Sequence, residues 1–266
     1  LGTRNLISLL SLIKKKYPLS SDAEITIEAN PDSARDWKAM RALRRAGFNR
    51  VSLGMQSADD AELKRIGRIH TNAETAEAVV AIRKAKIKNL SLDLIYGLPE
   101  QSMESWQKTL AAAVELAPEH ISCYGLKIEE GTPLFQMKSS LIIPDDDNQA
   151  DMYFYAVDYL ARTGYAQYEI SNFAKDGFLS RHNMKYWTLG EYAGFGPGAH
   201  SDFGSVRYAY VRDLSKYVDG VLRGADMLSE SETIPPLIRD TEYLMLRLRT
   251  AKGVNAKEFE NAYREH

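Results

Sequence analysis

Several polar residues stand where apolar runs of the chain end, and their types suit the binding of a small organic ligand. The clearest run, residues 90–99, holds a single acid, Asp93, among leucines and an isoleucine, which is typical of a parallel strand covered on both faces. A carboxylate in such a run is costly to bury without a partner or a ligand. Other runs end on further polar residues: Glu28, Gln56, Ser57, Tyr96, Tyr124, Tyr168 and Glu169.

Parallel α/β folds place their chemistry at the carboxyl ends of the strands, so we expect these side chains to face one mouth. A single polar residue at a strand end is more often a helix cap or a loop residue, but five strand ends in order favour a site. Two acids, an amide and tyrosines suit a ligand with an amine or ammonium group, ribose hydroxyls and a flat ring. The guanidinium of Arg68 could bind a carboxylate through two parallel hydrogen bonds. The alternative is that Arg68 is an ordinary solvated arginine in a loop.

A second group of chemically capable residues lies in the segment 180–187. His182 is a candidate ligand of a haem iron, with Tyr186 and Trp187 beside the flat macrocycle. The alternative is a turn whose tryptophan fills core and whose histidine caps a backbone group. Spacing alone favours this alternative.

The glycine-rich segment 194–201 matches neither nucleotide-binding fingerprint, because its spacing is GxGxG and Pro197 interrupts it. We expect its glycines to allow close backbone approach beneath a ligand. His200 is a second, weaker ligand candidate. Cys123, inside a predicted strand, is expected to be a small buried hydrophobe and not a nucleophile.

Strands and helices alternate along most of the chain, which predicts βαβ units and a parallel sheet. The segment 172–205 has no clear period, and helices are expected again after Tyr208. The predicted strands are 24–29, 50–55, 90–96, 120–126 and 165–170, and the late helices are 214–222, 237–248 and 256–263.

Composition indicates an ordinary soluble globular protein. The 266 residues are 44% hydrophobic and carry a net charge of −2, so we expect no nucleic-acid partner. No apolar run approaches the ~20 residues of a membrane helix, so we expect weak or no membrane contact and a cytoplasmic location. The one cysteine excludes an internal disulfide and any metal site built only from this chain's thiolates.

Three strand ends, residues 28–31, 54–57 and 93–99, resemble the radical S-adenosylmethionine proteins grouped with oxygen-independent coproporphyrinogen III oxidase. The segments 168–174, 182–187 and 196–201 resemble the haem-chaperone (HemW-type) branch of that family. The resemblance implies an α/β fold: a partial, open parallel β/α barrel over residues 1–205, and the start of a small helical C-terminal domain over 206–266.

The resemblance also implies two cofactors and a haem site. A [4Fe–4S] cluster would be held by a Cys-x3-Cys-x2-Cys loop after the first strand, with S-adenosylmethionine on the fourth iron. The chain positions that match contacts to S-adenosylmethionine are Gly2, Thr3, Glu28, Gln56, Arg68 and Asp93; those that match the block proposed to bind haem are His182, Tyr186 and Trp187.

Two departures from the family pattern concern the start of the chain. The cluster cysteines are absent, so no metal ligands are assigned in this chain, and Arg4 stands where the family motif has a proline. Because a cluster needs three thiolates, we expect the cluster loop and the first strand to precede Leu1.

The leading expectation is a haem-binding chaperone that delivers haem to acceptor proteins. The alternative is an oxygen-independent coproporphyrinogen III oxidase, which would carry out a radical oxidative decarboxylation, so whether the chain is an enzyme stays open. A third hypothesis, a barrel enzyme for a small phosphorylated substrate, conflicts with the proline between Gly196 and Gly198.

Overall fold

A computed structural model describes residues 1–263, which form two compact units that divide between Leu179 and Ser180. The helices of the first unit are α1 (Thr3–Lys16), α2 (Pro31–Ala34), α3 (Trp37–Ala46), α4 (Asp60–Arg65), α5 (Asn72–Lys84), α6 (Met103–Glu115), α7 (Pro133–Gln136) and α8 (Asp146–Arg162), with a 3₁₀ turn at Lys138–Ser140. Its strands are β1 (Thr26–Ala29), β2 (Arg50–Gln56), β3 (Asn89–Tyr96), β4 (His120–Gly125), β5 (Ala166–Glu169) and β6 (Asn172–Ala174).

These strands form one sheet in the order β1-β2-β3-β4-β6-β5, in which the first four are parallel. The predicted βαβ alternation is confirmed for those four. The fifth predicted strand does not continue it, because β5 reaches the sheet only through β6, which runs antiparallel to both of its neighbours. The two residues between β5 and β6 make a hairpin, whereas a parallel crossover needs about a dozen or more.

The two faces of the sheet differ in chemistry. Leu90, Leu92 and Leu94 of β3 are fully buried in the main hydrophobic cluster, together with residues of α5, α6 and α8. The expectation that β3 is covered on both faces is only partly correct. Ser91 on the opposite face is fully buried, but Asp93 on that face is half-buried and borders a cleft. Successive side chains of a strand point to opposite faces, so the leucines lie on one face of the sheet and Ser91 and Asp93 on the other.

Cys123 of β4 lies on the apolar face and is 1% exposed, which confirms the prediction of a small buried hydrophobe. Burial, with a smaller contribution from Asp93, raises the pKa of its thiol well above the ordinary range. A thiol that stays protonated is a poor nucleophile.

The second unit contains β-structure that the sequence analysis did not predict. Its helices are α9 (Arg181–Trp187), α10 (Leu214–Arg223), α11 (Pro236–Arg247) and α12 (Ala256–Tyr263), and the last three confirm the predicted helices. An antiparallel sheet joins β7 (His200–Phe203), β8 (Val206–Tyr210) and β9 (Leu228–Thr233). Strand β9 is exposed along its whole length, so it lacks the alternation that marks a half-buried strand. Among the described residues, no helix is long and apolar enough to cross a membrane.

Candidate functional site

A cleft of about 320 Å³ opens where β1, β2 and β3 end. It brings together four of the residues singled out from the sequence, Glu28, Gln56, Arg68 and Asp93. Three further residues around it, Asn30, Ser52 and Gly54, were not predicted. Gly2 and Thr3 do not line this cleft; Gly2 has a φ of 78° and precedes α1.

Asp93 is held by hydroxyl groups from three strands. Ser52 of β2 donates to its Oδ2 at 2.8 Å, Ser122 of β4 donates to its Oδ1 at 2.8 Å, and Ser91 donates to Oδ1 at 3.2 Å. A carboxylate has about four acceptor sites, so at least one remains for a ligand. Among the described residues no lysine or arginine forms an ion pair with Asp93, so its negative charge is available to a cationic or hydrogen-bond-donating ligand.

Gln56 adopts a strained backbone conformation at the end of β2. Its φ is 63°, and the amide N–H of Ser57 donates to the carbonyl of Met55 at 2.8 Å, which closes a γ-turn of the rare positive-φ form. The register between β2 and β3 shifts at this point. Left-handed non-glycine residues are uncommon and cluster at functional sites, and here the turn brings the buried Gln56 side chain to the cleft.

Gly54 leaves room for that side chain. A Cβ at position 54 would lie 2.6 Å from Nε2 of Gln56 and 3.5 Å from Oδ1 of Asn30. We therefore expect Gly54→Ala to displace the Gln56 amide from the cleft and to weaken ligand binding about tenfold. The loss of stability should stay below about 1 kcal/mol, because the displaced group is the end of a flexible side chain. Calorimetric titration and thermal unfolding measure the two effects. Unchanged ligand affinity would show that the Gln56 amide is not needed there.

Arg68 lies at the rim of the cleft, where its Nη1 donates to Oδ1 of Asn30 at 3.0 Å. No ion pair of Arg68 is present among the described residues, so its guanidinium fork has capacity for a carboxylate. The cleft thus combines one cation with two anions, Glu28 and Asp93. That set fits a ligand that carries a carboxylate together with positive charge and hydroxyl groups.

The other residues predicted to lie at this edge of the sheet contact protein groups outside the cleft. Ser57 donates to Glu62 at 2.6 Å, the ring of Tyr96 packs near Trp106, and the hydroxyl of Tyr168 lies 2.8 Å from Nε2 of His120. Glu169 accepts from the backbone N–H of Ser171 at 3.1 Å. Neither these residues nor Tyr124 line the cleft. For Tyr168 and Glu169 the reason is the strand order, because β6 lies between β5 and the parallel strands.

The serines around Asp93 were missed by the sequence analysis, although a signal for them exists. Ser52 and Ser122 each stand at an apolar-flanked position of their strand, in the same alternating phase as the cleft residues. Which serine lies beside which acid depends on the register between strands, and the sequence does not show that register.

The second predicted group lies on the helix α9 and not in a turn. The hydroxyl of Tyr186 and Nε2 of His182 are 2.9 Å apart, and the two rings meet edge to face at 4.9 Å. Tyr186 also meets Tyr192 edge to face at 4.7 Å, and burial raises the pKa of its phenol. The guanidinium of Arg249 lies 4.6 Å from the ring centroid of the half-buried Trp187. His182 is exposed, so an iron has access to this helix.

The glycine-rich segment packs closely against its own chain. A Cβ at Gly194 would lie 2.3 Å from the carbonyl oxygen of His200, and the Gly194 N–H donates to Ser201 at 2.9 Å. His200 itself is 48% exposed, with its Nδ1 3.8 Å from a carboxylate oxygen of Glu230. Over residues 1–263, no group of three or more histidine, cysteine, aspartate and glutamate side chains is arranged to hold a metal ion.

Comparison with known proteins gives consistent results. A family model described as "Radical SAM superfamily" matches residues 2–113. The heme chaperone HemW of Lactococcus lactis is 35% identical over 266 residues, which cover 99% of this chain and 69% of that protein. HemW of Haemophilus influenzae is 38% identical over 98% of this chain and 69% of its own length.

A solved structure shares the fold. The coproporphyrinogen III oxidase HemN from Escherichia coli, a radical SAM enzyme, superimposes with a TM-score of 0.86 over 99% of this chain at 21% identity. The chain spans 64% of the length of that structure. The expected α/β fold, an open parallel β/α barrel, is confirmed.

Proposed function

Because the chain belongs to the radical S-adenosylmethionine superfamily and groups there with the HemW relatives, we propose that it is a haem chaperone, which binds haem and passes it to acceptor proteins. The observation that carries this proposal is the identity of 34–38% to proteins named heme chaperone HemW over nearly the whole chain. The exposed His182 on α9 supplies a ligand of the kind that haem iron prefers.

The cleft of the first unit is proposed to bind S-adenosylmethionine. This molecule carries an α-carboxylate, an ammonium group, a sulfonium and ribose hydroxyls, and its bound form supplies the radical chemistry of the family. Arg68 fits the carboxylate, while Glu28, Gln56 and Asp93 supply acceptors for the ammonium and hydroxyl groups. The resemblance also assigns Gly2 and Thr3, at the start of α1 and outside this cleft, to S-adenosylmethionine.

The described residues do not fit the [4Fe–4S] cluster of the family. Three thiolates are needed, and the single cysteine of the chain lies buried in β4 with a raised pKa. The proposal for these 266 residues therefore contains no radical step.

Haem titration tests the chaperone proposal. We expect His182→Ala to lower haem affinity at least tenfold, because the residue that would hold the iron is removed. The Soret band follows the binding. His200→Ala, at the second candidate, is expected to bind haem as the wild type does. Equal binding by wild type and His182→Ala would remove His182 from the site, and loss in His200→Ala alone would transfer the ligand to His200.

A Tyr186→Phe variant tests in the same haem titration whether Nε2 of His182 binds the iron. Coordination through Nε2 of His182 requires that this nitrogen leave the Tyr186 hydroxyl. Phenylalanine keeps the ring beside the macrocycle and removes the competing hydrogen bond, whose net worth is about 0.5–1.5 kcal/mol. Haem affinity should therefore rise by about two- to tenfold. A loss of affinity would instead make the Tyr186 hydroxyl part of the haem contact.

The alternative of a coproporphyrinogen III oxidase has support from the fold alone, since the matching structure is 21% identical. Formation of protoporphyrinogen over multiple turnovers by the full-length, cluster-loaded protein would favour it over the chaperone. The third hypothesis, a barrel enzyme for a phosphorylated substrate, is not supported by the family to which the chain belongs.

A further inference from the structure

A chain of hydrogen bonds connects Asp93 to the far edge of the sheet. The hydroxyl of Tyr168 on β5 is 2.8 Å from Nε2 of His120 on β4, and Nδ1 of His120 is 2.8 Å from Oγ of Ser91 on β3. Ser91 then donates to Asp93. Ser91 and His120 are fully buried, and Tyr168 is 7% exposed.

The proton positions along this chain follow from its two ends. Ser91 uses its single O–H to donate to the carboxylate, so its oxygen must accept from Nδ1–H of His120. Burial, with a smaller contribution from Arg50, lowers the pKa of His120 to about 3, so the ring is neutral and carries one proton. Nε2 is then an acceptor, and the phenol of Tyr168 donates to it. Donation therefore runs one way along the chain, from Tyr168 to His120, from His120 to Ser91 and from Ser91 to Asp93.

We propose that Ser91, His120 and Tyr168 are positioning residues that hold the Asp93 carboxylate in the orientation in which the cleft offers it to a cofactor. This inference rests on the proposed cofactor site. Ser91 and Ser122 occupy Oδ1, and Ser52 occupies Oδ2, so rotation of the carboxylate would break hydrogen bonds on both sides. A fixed acceptor loses less freedom when a ligand binds, which raises affinity.

Stability alone does not account for these residues. His120 and Ser91 are central in the sheet, where an imidazole or a hydroxyl is tolerated only when its polar atoms are paired. Apolar residues fill the neighbouring positions that face the other side of the sheet, such as Leu92 and Ile121. What the hydrogen-bonded residues Ser91 and His120 achieve beyond packing is to hold the Asp93 carboxylate in one orientation.

Two substitutions of His120 separate a positioning role from a structural one. An asparagine amide lies near the place of Nδ1 and can still donate to Ser91, whereas a glutamine amide reaches toward Nε2 and leaves Ser91 without its donor. We expect His120→Gln to weaken the binding of S-adenosylmethionine by about three- to tenfold relative to His120→Asn. Both variants should show similar losses of thermal stability. Calorimetric titration of the full-length protein measures the affinities.

A second pair of variants tests the far end of the chain. Tyr168→Phe removes the donor to His120 and should weaken S-adenosylmethionine binding about twofold or more. Tyr165→Phe is the matched control: Tyr165 is also buried, but its hydroxyl donates to the carbonyl of Pro118 at 2.8 Å. It should lose stability and keep its affinity.

The outcomes distinguish this inference from the site on which it rests. Equal affinities of His120→Gln and His120→Asn, or of Tyr168→Phe and Tyr165→Phe, would overturn the positioning role. If Asp93→Asn leaves the affinity unchanged, the proposed cofactor site itself is wrong. Separation within both pairs, together with loss of affinity in Asp93→Asn, supports the positioning role and the cofactor site.

Discussion

Asp93→Asn is expected to lower the affinity for S-adenosylmethionine by at least tenfold. Hydrogen bonds to a charged group contribute about 1.5–3 kcal/mol, and the cleft loses one of its two negative charges with this substitution. The asparagine amide nitrogen cannot accept from a serine hydroxyl, so either Ser52 or the pair Ser91 and Ser122 must also reorient. Calorimetric titration of the full-length protein measures the change.

A charge-matched control lies in the same unit. Asp59 caps α4 by accepting from the N–H groups of Ala61 and Glu62. Asparagine is an equally good N-cap, so Asp59→Asn removes one negative charge without loss of the cap. We expect its affinity to match the wild type. A similar loss in both variants would mean that net charge, and not a contact to Asp93, governs binding.

Asp202→Ala is expected to destabilise the second unit by about 2–3 kcal/mol, because Arg207 and Arg239 lose the carboxylate with which they both pair. Arg239 donates to both oxygens of Asp202, one of them at 2.6 Å, and Arg207 donates to Oδ2 at 3.2 Å. Glu242 completes the network by accepting twice from Arg207 at 2.9 Å. These contacts join β7, β8 and α11. Native-state hydrogen exchange of the β7 and β8 amides reports the local change.

The effect of Asp202 should depend on pH. Its hydrogen bonds with Arg239, and then those with Arg207, hold the pKa of this carboxyl below its ordinary value of about 3.9 despite partial burial. A lowered folded-state pKa contributes stability that is fully present above the ordinary pKa and is lost as pH falls through the folded value. The difference between wild type and Asp202→Ala should therefore be constant near neutrality and shrink below about pH 4.

The control for this prediction is an exposed pair on α10. Asp219 and Arg223 are 3.8 Å apart, and both side chains are more than half exposed. Surface pairs contribute about 0–1 kcal/mol, so Asp219→Ala should change the protection of β7 and β8 little. A loss as large as that of Asp202→Ala would argue against a specific role of the Asp202 network.

Local patterns predicted much of the first unit and the late helices of the second. The parallel strands β1 to β4, the acid within β3, the burial of Cys123 and the late helices α10 to α12 all follow from apolar periodicity. The same reasoning failed for β6 and for the sheet of β7, β8 and β9, because short or exposed strands carry no alternation. Those strands exist through pairing with neighbours, which is a non-local property.

The sequence by itself therefore determined the family and the residue types of the cleft, since Glu28, Gln56, Arg68 and Asp93 stand in motifs that are local in the chain. Only the tertiary structure decided how Asp93 is held, since Ser52 and Ser122 belong to strands that approach it through sheet register. It also decided that Tyr168 contacts His120 and does not line the cleft. The physical reason is the same in each case: a motif specifies which groups are present, whereas strand pairing specifies which of them touch.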